Sequence, residues 1–394
     1  MPETRPDVPI EIREFEPFLQ KCLDCDHLVL VDYTATAMLP PGENFCSSIV
    51  KVDARVRKNT SPREEDVALH FVAKTPDKSN RAVVDWVFTF RPEVFAYAEV
   101  VPAYREVEEK LGIEEPLDFH PKFFGSRNSL EEDNQDSVDQ DSMLLLENLG
   151  ARGYYMVDKY VGLDVEHARK VTVCLARFHA LGMAVIRLRP DIPEKMIALA
   201  ASHPFDFGPL DDTFDSVLKV IRDNGSLRKH IGLMEPAFAE AKNGNLWIRT
   251  DCGKFATIIH GDIWINNLMF HKDEQGRVDD VKLLDFQSFQ CNSALRDVSR
   301  FLTSSLHPTT RSRHSKDLID LYYETFIEWT DKVGCDSKRF TKEDYVAELK
   351  RQSVIQFPLC AMGLKIILAN EGKTEEIIQP LQQLIDTYED NGWF

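Results

Sequence analysis

The sequence predicts an α+β fold of two lobes, a small antiparallel sheet followed by a larger, mostly helical region. Three observations carry that expectation. Residues 28–36, 49–57 and 67–74 are strand-like and joined by turns, and the middle one alternates apolar and polar residues as a half-buried antiparallel strand does. From Asp164 onward the apolar positions recur mostly at helical spacing. Between the two regimes the chain loosens at Gly150 and Gly153. The expected divisions are a helical extension over 1–27, a sheet lobe over 28–149 and a helical lobe over 150–394.

The elements follow in order. Residues 12–23 suit a leading helix. A long helical stretch over 81–111 follows the third strand, with Pro92 and Pro102 expected to break or bend it. Residues 119–124 suggest a fourth strand and 142–149 a buried fifth one. Residues 128–141 carry six acids and no base, which predicts a solvated surface loop. Asp164 can cap a helix whose apolar stripe is Val171, Cys174, Leu175, Phe178 and Leu181. Residues 190–250, rich in Phe and Pro, read as irregular. Short strands are expected around 268–270 and 281–284, and helices from 295 to the end.

Composition narrows the function. Of 394 residues, 43% are hydrophobic, enough for a core and against global disorder. The 65 acids exceed the 47 Lys and Arg, a net charge of −18, which speaks against a nucleic-acid partner. The charged, proline-spaced N-terminus has no signal-peptide core, and the longest apolar run, at residues 196–201, is far short of the roughly 20 residues a spanning helix needs. The expectation is a cytoplasmic protein with no membrane insertion. The eight cysteines are scattered and read as reduced thiols, including the lone C-x-x-C at Cys22 and Cys25.

The strongest local signal is His260-Gly-Asp262-x-Trp264-x-Asn266-Asn267, followed by a second strand ending in Asp285-Phe286-Gln287. Its physical logic is phosphoryl transfer. One carboxylate orients a hydroxyl and accepts its proton, while a carboxamide and a second carboxylate hold Mg²⁺ against the phosphates of a nucleotide. Asp262 suits the first role, and Asn267 and Asp285 suit the second. His260 suits a brace for the Asp285 loop, and Asp297 a structural anchor.

Upstream, Lys74 at the end of the third strand offers a cation for ATP phosphates. Glu93 offers a carboxylate to hold that lysine, with Glu99 as the competing partner. The turn bearing Gly42, Asn44 and Ser47 lies where a phosphate-covering hairpin belongs, although it has one glycine. Trp264, Phe205, Phe207 and Trp247 are candidate walls for an apolar substrate, and ordinary core packing explains each of them as well.

Together these residues resemble the protein-kinase-like superfold, in its branch of choline kinases and aminoglycoside phosphotransferases. More closely, the chain resembles the ecdysteroid-kinase-like (CHK kinase-like) family. The likeness runs through Gly42-x-Asn44-Phe-x-Ser47, Phe90-x-x-Glu93-x-x-x-Tyr97, Leu145-Leu-Glu147-Asn-Leu149, Phe178-His179-Ala180, His260-Gly-Asp262 and Asp285-Phe-Gln287. It implies a bilobal kinase-like fold and ATP- and Mg²⁺-dependent phosphorylation of a small-molecule hydroxyl, with an ecdysteroid-type steroid alcohol favoured. It also implies a hinge from Glu147 to Leu149 that receives the adenine.

A protein kinase is not expected: Gly261 stands where those enzymes carry an Arg, and the gap between Asp285 and Asp297 is too short for a peptide-docking segment. The alternatives are a choline or ethanolamine kinase and a nucleotide-binding pseudokinase acting through partners.

Overall fold

The computed structural model describes residues 10–38, 47–58, 65–76, 86–131, 138–202, 208–242, 253–370 and 372–394. Contacts divide the chain into two compact units. One comprises residues 1–100 and 120–155, and the other 101–119 and 156–394.

The first unit is built on a five-stranded sheet in the order β1-β2-β3-β5-β4, antiparallel throughout. The strands are β1 (Leu28–Ala37), β2 (Ser47–Lys58), β3 (Val67–Pro76), β4 (Phe123–Arg127) and β5 (Met143–Glu147). Alternation explains β2, where Val50, Val52, Ala54 and Val56 are buried and point to one face. Helix α1 (Phe15–Cys22) lays Phe15, Phe18 and Leu19 on that layer, closing a core with Leu28, Ala35, Phe71, Ala73 and Leu145.

The stretch expected over 81–111 is continuous through both prolines, from its first described residue onward. It runs as α2 (Trp86–Phe95), a wide π turn (Ala96–Val100) and α3 (Val101–Leu111). The π turn lies just before Pro102, whose missing N–H leaves the normal helical ladder incomplete there. The fourth strand lies at 123–127, four residues later than expected. Phe119 belongs elsewhere: its ring packs 5.1 Å from Phe178, and its carbonyl accepts from the Leu283 amide at 2.7 Å.

The second unit is organised around α4 (Val165–Leu188). The Asp164 side chain accepts from the His167 amide at 3.0 Å, as its sequence position predicts, and the expected stripe is buried. Helix α4 packs on α3, on α9 (Pro308–Lys332), and on the strands β6 (Ala256–Ile259) and β8 (Val278–Leu283). Tyr104 of α3 stacks on Phe178 at 5.3 Å and donates its hydroxyl to the Phe178 carbonyl at 3.2 Å, which draws residues 101–119 into this unit.

Residues 190–250 are not irregular where they are described. They form α5 (Asp191–Ser202), α6 (Gly208–Asp223) and α7 (Ile231–Lys242). Their prolines look like loop punctuation and are not. Pro193 and Pro209 sit within first turns, where a missing N–H costs nothing, and Phe214, Val217, Leu218 and Ile221 make a buried helical stripe.

Two hairpin-like pairs complete the unit: β6 with β9 (Gln290–Ser293), neither anticipated, and β7 (Leu268–Lys272) with β8. Helices α8 (Ala294–Ser304), α9, α10 (Lys342–Asn370) and α11 (Ile378–Asp390) fill the remainder. By length and apolarity α4 and α10 could each cross a membrane. The α4 window is 72% buried and serves the core, while only 44% of the α10 window is buried. All cysteines among the described residues are free thiols, and burial pushes that of Cys22 up to about 11.

Candidate active site

The site residues fall into two groups, one in each unit. In the sheet unit, Lys74 sits on the central strand β3, opposite Ile49 of β2 and Leu144 of β5. Its Nζ lies 2.5 Å from Glu93 Oε2 of α2, and both side chains are almost wholly buried. Glu99 is exposed on the π turn, so Glu93 is the partner. A buried charge needs such a partner, because desolvation otherwise drives it neutral.

Ser47 opens β2, buried and opposite Pro76. Gly42 and Asn44 lie outside the described residues. Glu147 closes β5, its carboxylate 3.1 Å from Arg152 Nη1. Asn148 donates its amide to the His70 carbonyl at 3.2 Å, and buried Leu149 opens a short turn whose carbonyl accepts from Tyr154 at 3.1 Å. The segment from Glu147 to Leu149 is therefore tied at both ends to its own unit.

In the helical unit, β6 delivers the chain into His260-Gly261-Asp262. Gly261 has φ +83°, and a Cβ there would lie 2.1 Å from the Ser288 carbonyl oxygen, so no other residue passes without displacing backbone. Asp297, in the first turn of α8, holds the loop. Its Oδ2 accepts from the His260 amide at 2.7 Å and its Oδ1 from the Gly261 amide at 3.0 Å. His179 Nε2 lies 3.1 Å from the same Oδ2, and His179 Nδ1 is 2.8 Å from the Tyr322 hydroxyl. Burial pushes the Asp297 carboxyl up, but the hydrogen bond and charge of His179, joined by the His260 backbone amide, outweigh it and hold it below the usual carboxylate range.

His260 braces the Asp285 loop as expected. Its Nδ1 accepts from the Asp262 amide at 3.3 Å, so its Nε2 carries the proton and donates to the Leu284 carbonyl at 2.8 Å.

Strand pairing brings the two suggested metal ligands together. Leu268 of β7 pairs with Leu283 of β8, so Asn267 and Asp285 lie at the same end of the hairpin, and the Leu284 amide donates to the Asn267 carbonyl at 2.9 Å. Asn267 Nδ2 donates to the Asp262 carbonyl at 2.9 Å, which orients the carboxamide. Asp285 has φ +64° and ψ +68°, one of three non-glycine residues with positive φ among those described. That conformation costs on the order of 1–3 kcal/mol and persists only where surroundings impose it.

Among the described residues no three His, Cys, Asp or Glu side chains are grouped as a metal cage. One carboxylate with one carboxamide oxygen suits Mg²⁺, which keeps several waters and binds chiefly through substrate phosphates.

Arg300 is the residue that sequence reasoning missed. From the second turn of α8 its Nη2 lies 3.4 Å from Asp262 Oδ1, and its Nη1 is 3.6 Å from Cys360 Sγ of α10. The available signal was its place one turn beyond Asp297, on the same helix face. Trp264 is partly exposed, with extended backbone (φ −154°, ψ 170°), and its carbonyl accepts from the Asn267 amide at 2.9 Å. Phe205, Phe207 and Trp247 lie outside the described residues.

The model of the Ecdysteroid kinase-like family matches residues 41–335. No curated protein matches the chain significantly. Among solved structures it is similar to an ethanolamine kinase of Plasmodium vivax, at 10% identity and a TM-score of 0.40, over 92% of this chain and 82% of that one. A choline kinase of Cryptosporidium parvum shows 11% identity and a TM-score of 0.44, over 97% and 98%. The wild-type aminoglycoside 2'-phosphotransferase-IIIa in its GDP complex shows 11% and 0.46, over 96% and 99%.

Proposed function

This chain belongs to the ecdysteroid kinase-like family, which makes it a small-molecule phosphotransferase, and we propose that it moves the γ-phosphate of ATP to the hydroxyl of a lipophilic alcohol, with Mg²⁺. The observation that carries the reading is the support given to Asp262. Gly261 and His260 are fastened to Asp297, and Asn267 to the Asp262 carbonyl, so the carboxylate stands on a fixed loop. Such pre-positioning supplies most of the rate in phosphoryl transfer.

In this reading Asp262 orients the acceptor hydroxyl and takes its proton as the oxygen–phosphorus bond forms and ADP leaves. Asn267 and Asp285 would hold Mg²⁺, which would supply charge neutralisation on nucleotide phosphates. In the sheet unit, Lys74, held by Glu93, is a cation for nucleotide phosphates, Ser47 a donor to phosphate, and the segment from Glu147 to Leu149 a hinge for adenine. The cytoplasm, where ATP is made available, suits this chemistry.

Helix α10 supports a lipophilic acceptor. Cys360 touches Arg300, which touches Asp262. On the same helix face Leu364 and Ile367 follow Cys360 at one and two turns, both partly exposed. A steroid-type alcohol suits such an apolar strip.

The test is to incubate the purified chain with Mg·ATP and a mixed panel of ecdysteroids, choline, ethanolamine and plant alcohols, and to find by mass spectrometry which compound gains a phosphate. Asp262→Asn is expected to abolish transfer and leave ATP binding intact. Full activity in that variant would overturn the role of Asp262. A chain that binds Mg·ATP and phosphorylates nothing would be a pseudokinase.

A further inference from the structure

We propose that Arg300 is a specificity-determining residue, reserving the acceptor position beside Asp262 for alcohols with no cation close to the reacting hydroxyl. The inference rests on Asp262 being the base. Arg300 Nη2 stands 3.4 Å from Asp262 Oδ1, and both side chains stay partly open, 17% for Arg300 and 28% for Asp262. Whatever reaches the Asp262 carboxylate therefore comes within a few ångströms of the guanidinium.

The guanidinium is pinned from behind. Its Nη1 lies 3.6 Å from Cys360 Sγ, and Thr303 Oγ1 lies 3.3 Å from the same sulfur. Helix α8 thus holds the catalytic loop twice, its backbone through Asp297 and its carboxylate through Arg300.

The consequence is electrostatic. A lone carboxylate attracts cations, so an acceptor such as choline or ethanolamine, whose charged nitrogen is two carbons from the hydroxyl, would gain from it. Arg300 is charged at every working pH and cancels that attraction. It does so by repelling the nitrogen, which must come within a few ångströms once the hydroxyl bonds to Asp262. Like charges about 6 Å apart at an effective dielectric of about 20 change binding by about a hundredfold. A neutral alcohol is affected by neither charge, so only the cationic acceptors lose an advantage.

The experiment compares kcat/KM for ecdysone, choline and ethanolamine with Mg·ATP in the wild type, Arg300→Gln, Arg300→Lys and Asp262→Asn. The wild type and Arg300→Lys are expected to use the neutral steroid alcohol better than either cation. Arg300→Gln is expected to raise the cation-to-neutral ratio tenfold or more. An unchanged ratio in Arg300→Gln, or a wild type that uses choline or ethanolamine as well as ecdysone, overturns the inference.

Should Arg300→Gln not fold, competition on the wild type still decides, since choline that inhibits ecdysone phosphorylation at millimolar concentration contradicts the proposal. Transfer that survives in Asp262→Asn removes the base and this inference together. An inactive Asp262→Asn with an unchanged Arg300→Gln ratio removes the inference alone. A wild type that phosphorylates none of the three, no other ecdysteroid and no plant alcohol overturns both.

Discussion

Asp297 and His260 are joined across 37 positions of sequence, the carboxylate Oδ2 accepting from the His260 amide at 2.7 Å in a fully buried setting. The same carboxylate takes the Gly261 amide and faces His179, so one side chain sets the path of the loop that carries Asp262. Asp297→Ala is expected to cost roughly 3–5 kcal/mol, because it strands buried donors and His179. Urea unfolding at neutral pH measures it.

The pH dependence of that contribution has a definite sign. The folded carboxyl is held below its ordinary value, near 3.9 when unfolded, so its stabilisation is fully present above that value. It is lost as pH falls through the folded value. The stability difference between wild type and Asp297→Asn is expected to be constant above about pH 5 and to shrink below about pH 4. A difference that grows on acidification would contradict the assignment.

Lys74 and Glu93 form a nearly dry ion pair at 2.5 Å. Removing one partner leaves the other charge buried, so Glu93→Ala is expected to lose roughly 3–5 kcal/mol, and the pair Lys74→Met with Glu93→Leu less than that. Both variants should use ATP poorly. A double-mutant cycle by thermal unfolding, with ATP titrations of the rate, separates the two effects. An unchanged rate for Lys74→Ala at every ATP concentration would count against a phosphate role.

Gly261→Ala puts a Cβ 2.1 Å from the Ser288 carbonyl oxygen at a φ of +83°. The left-handed backbone alone costs about 1–2 kcal/mol for a residue with a side chain, and the clash adds to it. A lower unfolding midpoint is expected together with a loss of transfer, since Asp262 is the next residue. Melting curves and turnover on one preparation check both.

Asp285→Asn tests the metal role with little structural change. Asn tolerates the left-handed conformation that Asp285 adopts, so stability should stay within about 1 kcal/mol. Transfer should fall by about a hundredfold or more, with a higher Mg²⁺ requirement, read from rates across a Mg²⁺ titration.

Much of the sheet was legible because its strands are local patterns. The alternation from Val50 to Val56 fixes which face is buried wherever the partner strands lie. The Asp164 cap and the α4 stripe were legible for the same reason. The helices over 190–242 were not, because prolines at helix starts look like turn punctuation when read one residue at a time.

The position of Phe119 was not legible either. An aromatic next to a strand reads as strand, yet Phe119 is held by Phe178 and Leu283, distant in sequence. Arg300 gave no motif at all.

By itself the sequence determined the family, the α+β class and the spacing of Asp262, Asn267 and Asp285, since these depend on residue type and short-range periodicity. Only the tertiary structure decided that Glu93 and not Glu99 meets Lys74, that Asp297 carries the Asp262 loop, and that Arg300 stands beside the Asp262 carboxylate. Those are contacts between residues distant in sequence or on different turns of a helix. They exist only once burial has forced each charged group to find a partner.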